Sequence, residues 1–81
     1  MNFKQTIECG MIQVGIRSKE HLCDRTGIPY ATLFRRLKHP QGTTAAELAA
    51  LSDVLGIPIG ELAEATRKKG LKIARKHYLQ Q

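Results

Sequence analysis

Glycines and prolines cut this chain into short segments. Gly15, Gly27 and Gly56 each follow a run with apolar residues at helical spacing. A glycine takes up the positive φ that closes a helix at low cost. Pro40 ends another run, because the residue before a proline is pushed out of the helical region. Strand signals are weak: valine and isoleucine are scattered, and there is no Asn-Gly or Asp-Gly hairpin. The chain therefore reads as all-α.

The segments between these stops are five. From roughly Asn2 to Val14, the residues Phe3, Ile7, Met11 and Val14 share one face, and Gly10 weakens the helix. A second helix starts at Ser18, whose hydroxyl accepts from free first-turn amides, and runs through Leu22 and Cys23 to Thr26. A third begins with Pro29 at its first helical position and ends near Lys38. Thr44-Ala45-Ala46-Glu47 is a capping box for a fourth helix, which carries Leu48, Leu51, Ser52 and Leu55 on one face. After the turn Ile57-Pro58-Ile59, a fifth helix carries Leu62, Ala63 and Thr66. Beyond Gly70, Leu71, Ala74 and Tyr78 fit a helix, whereas Leu71, Ile73, His77 and Leu79 partly fit a strand. Both remain open.

The chain has 81 residues, enough for one small domain. Its hydrophobic content of 42% supports one core, which must rest on Leu, Ile, Val and Ala because there is no Trp and only two Tyr and two Phe. The expected division is a folded domain over 1–69 and a basic tail over 70–81, open as a mobile segment or as one that helps dimerise through Leu71, Ile73 and Tyr78. No run reaches the roughly 18 uncharged apolar residues of a membrane span. The opening Met1-Asn2-Phe3-Lys4-Gln5 lacks the order of a signal peptide, so a cytoplasmic protein is expected. Cys9 and Cys23 then read as free thiols.

Charge is blocked along the chain. Residues 1–40 carry a net +4, residues 41–66 carry −4 with no Lys or Arg, and residues 67–81 carry +6 with no acid. A basic front suggests a polyanion face, and the acidic middle suggests a different role. An enzyme is not expected. Glu20, His21, Cys23 and Asp24 lie together in sequence but point different ways on one short helix. Glu47 and Asp53 do not share a helical face. There is no Walker loop, GxGxxG or Ser/His/Asp order. Cys9, His21, Cys23 and His39 match no ligand spacing, so neither metal nor cofactor nor small-molecule ligand is expected.

The informative stretch is Ser18 to His39. SKEHLCDRT, then Gly27 and Ile28, then PYATLFRRLK make two short helices across a tight glycine turn, as a helix-turn-helix requires. Leu22 and Cys23 face inward, and Ile28 and Leu33 anchor the second helix. Tyr30, Ala31, Phe34, Arg35 and Lys38 fall nearer the outer face, with Phe34 read mainly as packing.

EHLCDRTGIPYATLFRRLKHP followed by TTAAELAALSDVLGIPIGEL resembles the Cro/repressor-type, Xre-like helix-turn-helix family of phage and bacterial regulators. The likeness covers residues 16–65. It implies a compact five-helix bundle of the lambda-repressor-like type. Two positions depart from the family pattern. Thr26 stands before the turn glycine where an apolar residue is usual, and Arg36 stands where another apolar residue is common. Leu37, one turn after Leu33, is expected to take over that packing.

The resemblance implies that the helix Pro29–Lys38 enters the major groove of double-stranded DNA. Carried over by position, Tyr30, Ala31 and Arg35 contact bases, while Lys19, Thr32, Arg36 and Lys38 contact phosphates. It also implies a homodimer on a two-fold symmetric operator. The block 45–66 is a candidate partner surface, with Leu55, Ile57, Ile59 and Leu62 at its bend; the same four residues read equally as the domain's own core, and in a chain this short they can be both. Repression is the expected sign, because the length leaves no room for an activation domain. The alternative is a protein-interaction module of the same fold, antitoxin-like or an adaptor. RNA binding is disfavoured, since no exposed aromatic platform is evident in the sequence.

Overall fold

Five α-helices and one 3₁₀ turn follow one another in the computed structural model, which describes residues 1–67. They are α1 (Phe3–Val14), α2 (Lys19–Thr26), α3 (Tyr30–Lys38), the turn Pro40–Gly42, α4 (Ala45–Leu55) and α5 (Ile59–Ala65). No strand occurs among the described residues. The helix and strand readings of the tail 70–81 both lie outside them.

Local chemistry sets the helix ends. The Ser18 hydroxyl accepts from the His21 amide at 3.1 Å. Thr44 and Glu47 form the expected capping box, with each side chain accepting from the other's backbone N–H at 3.1 and 2.9 Å. A second capping box, Asn2 with Gln5, starts α1. Pro29 does not occupy the first helical position. It is the N-cap of α3, in extended geometry at ψ 145°, and its carbonyl accepts the first helical bond from Leu33.

The core draws on every helix. Phe3, Ile7 and Met11 of α1 meet Leu22, Leu33, Leu37, Leu51, Leu55 and Leu62, with Ile16, Ile28 and Ile57 from the connections. Leu37 is buried, as the shifted packing requires. Val14 is not part of this face; it is 43% exposed at the C-terminal end of α1. Gly10 is buried instead. A Cβ there would sit 2.8 Å from Ile57 Cδ1 and 3.3 Å from Leu55 Cβ, so the glycine lets α1 close on the α4–α5 corner. It weakens the helix locally and permits the tertiary approach.

That corner decides between the two readings of its apolar residues. Leu55, Ile57 and Leu62 are buried within the domain itself; only Ile59 of the four is exposed. Hydrophobic burial inside a small core takes priority over display on a surface.

Candidate nucleic-acid interface

The turn between α2 and α3 is held by a hydroxyl. Thr26 Oγ1 donates to the Leu22 carbonyl at 2.8 Å and accepts from the Ile28 amide at 3.3 Å. The residue that departs from the family pattern therefore satisfies backbone groups that an apolar side chain would leave to others. Gly27 follows at φ 78°, which an L side chain rarely adopts. Ile28 then plugs the core and delivers the chain to α3.

Leu33 and Leu37 fix the rotation of α3, since residues four apart share a face. At about 100° per residue, Ala31, Arg35 and Lys38 lie opposite them. All three are exposed. Among the described residues neither Arg35 nor Lys38 has an ion-pair partner. Their charges, with Arg36, also lie in the last turn of α3, where cations complement the helix dipole.

The flanks of α3 differ. On one side Thr32 is half-buried and Arg36 turns to α4. Arg36 Nε donates to Glu47 Oε1 at 2.8 Å, and Nη2 lies 3.5 Å from Oε2. This guanidinium does not join Arg35 and Lys38 on the outer face. It ties α3 to the capping box of α4, a link between residues eleven apart that helical periodicity within α3 does not reveal. Lys19 is likewise engaged, with Nζ 3.2 Å from Glu8 Oε2.

On the other flank Tyr30 and Phe34 are 45% and 46% exposed. Their rings meet edge to face, with centroids 5.2 Å apart. The sequence suggests no exposed aromatic platform and a packing role for Phe34; α3 nevertheless presents this pair. The i, i+4 spacing is the available signal. Beside Tyr30, Glu20, Cys23 and Asp24 line an open groove. Burial pushes the Cys23 thiol up, helped by the negative charges of Asp24 and Glu20. A thiol held protonated is a poor nucleophile and metal ligand. Among the described residues no group of three His, Cys, Asp or Glu side chains is placed to hold a metal ion, and no helix is long and apolar enough to cross a membrane.

Residues 10–68 match the Cro/C1-type HTH DNA-binding domain. The chain belongs to that family. No curated protein and no solved structure matches it. Within the matched residues α2 and α3 meet across the Gly27 turn, and the family is described as DNA-binding. Phe3 and Ile7 precede the matched residues yet are fully buried, so the folded unit extends beyond them.

The ion pair between Arg36 of α3 and Glu47 of α4 is expected to make the domain's stability depend on pH. Burial alone pushes the Glu47 carboxyl up. The hydrogen bond and charge of Arg36, with hydrogen bonds from Thr44, outweigh it and hold the carboxyl below its ordinary value of 4.5. A group whose folded pKa is depressed stabilises above its unfolded value, and that contribution is lost as pH falls through the folded one. The melting-temperature gap between the parent and Glu47→Gln is therefore expected to be widest near neutrality. It should close as the pH is taken below 4.5 and through the lower folded value, measured by circular dichroism. A gap that is constant with pH would remove the ionised carboxylate as its cause.

Proposed function

We propose that this Cro/C1-type domain is a sequence-specific regulator of transcription that binds double-stranded DNA as a homodimer on a two-fold symmetric operator, and represses by occluding polymerase. The observation that carries this reading is the outward row Ala31, Arg35 and Lys38 on α3, with the Arg35 guanidinium exposed and unpaired among the described residues. Arg35 suits a guanine O6/N7 edge, and Ala31 a thymine methyl. Tyr30, in the first turn of α3, meets a base edge. Lys38, Thr32 and Lys19 bind phosphates, Lys19 by exchanging Glu8 for one. Arg36 holds α3 against α4. A single module touches few base pairs, which favours pairing on half-sites roughly 34 Å apart.

Selection from a random duplex pool, followed across a salt series, tests this. Enrichment of a two-fold symmetric site supports the operator reading. Salt-sensitive binding without an enriched sequence reduces the domain to a nonspecific DNA binder. No binding at low salt sinks the DNA reading and favours the protein-interaction module.

A further inference from the structure

We propose that Phe34, together with Tyr30, is a specificity determinant that reads the 5-methyl groups of thymines in the major groove; this rests on the DNA-binding reading above. Two aromatic side chains that the fold leaves half exposed, side by side, form an apolar patch next to the outward row of α3. Single exposed apolar residues are ordinary, but contiguous ones mark an interaction surface. Both lie on the flank of α3 away from Arg36 and Glu47, so no ion pair screens them.

The geometry selects the occupant. Edge-to-face packing at 67° sets the edge of one ring against the face of the other. The pair therefore lacks two free parallel faces on which successive bases could stack, as a single-strand platform needs. What remains is a hydrocarbon ridge. In the major groove the one hydrocarbon group that a base pair offers is the thymine methyl. Ring centroids 5.2 Å apart exceed one base-pair rise of about 3.4 Å. The two rings thus reach methyls on neighbouring base pairs, while Arg35 reads the guanine edge from the outward row beside them.

The test uses the full chain and the duplex that it selects. Each thymine is replaced singly by deoxyuridine, which removes the methyl and leaves every hydrogen bond. The parent is expected to lose about fourfold in affinity per methyl touched, at one or two positions in each half-site. Phe34→Ala and Tyr30→Ala bind more weakly, and each no longer distinguishes thymine from deoxyuridine at its own position. Phe34→Leu keeps part of the distinction. The inference is overturned if the parent binds both duplexes equally at every position, if the alanine variants retain the full methyl effect, or if the selected half-site contains no thymine. Tight, sequence-specific binding that ignores the methyls overturns this inference alone. Failure to bind any duplex overturns it together with the reading beneath it.

Discussion

Phe3→Ala is expected to leave the domain largely unfolded at room temperature. The ring is fully buried at the start of α1, where that helix packs across α3, α4 and α5. Truncating a buried Phe costs about 3–5 kcal/mol, through forfeited transfer energy and the cavity left behind. A single core of this size supplies about the same amount in total. Urea unfolding followed by far-ultraviolet circular dichroism measures the difference. Ile12→Ala is the control on the same helix: Ile12 is 78% exposed, so its removal stays within about 0.5 kcal/mol. Equal midpoints for the two variants would show that α1 is dispensable packing. Because Phe3 lies before residues 10–68, the same logic predicts that a chain starting at Gly10 folds poorly, although it retains the helix-turn-helix.

What the sequence reveals of this fold is local, and what it hides is tertiary. Ser18, Thr44 with Glu47, and the glycines at 15, 27 and 56 act within a few residues of themselves, so their roles can be read from spacing. The Asn2–Gln5 box is equally local and is visible as Asn followed three residues later by Gln. Gly10 is different. Within α1 it is only a poor helix former, and its purpose exists in the approach of Ile57 and Leu55 from much later in the chain. The same holds for Leu55, Ile57 and Leu62, whose apolar character fits a core or an interface equally well until α1 covers them. At the candidate interface the outward set Ala31, Arg35 and Lys38 follows from Leu33 and Leu37 by periodicity alone. Arg36 does not. A cation beside two others suggests a phosphate partner, and only the position of α4 shows that Glu47 holds it.

Arg35→Ala and Lys38→Ala are expected to weaken DNA binding in ways that differ in kind. A guanidinium bidentate to guanine is worth about 1–3 kcal/mol of discrimination. Arg35→Ala should therefore lower affinity for the selected site by about 5- to 150-fold and make the protein indifferent to one base pair per half-site. Lys38→Ala should weaken binding to all sequences alike and reduce the slope of log affinity against log salt by about 0.9 for each phosphate that is no longer neutralised. Arg36→Ala belongs to neither class. Its guanidinium is engaged with Glu47, so its removal should lower the melting temperature by a few degrees, with the salt slope unchanged. Titrations of all three variants at several salt concentrations, on the selected duplex and on one with the guanine replaced, separate these outcomes. If Arg36→Ala reduces the salt slope as Lys38→Ala does, Arg36 also contacts a phosphate on binding. Glu47 takes up only the Nε and Nη2 donors of the guanidinium, so Nη1 is left to meet that phosphate while the clip between α3 and α4 stays in place.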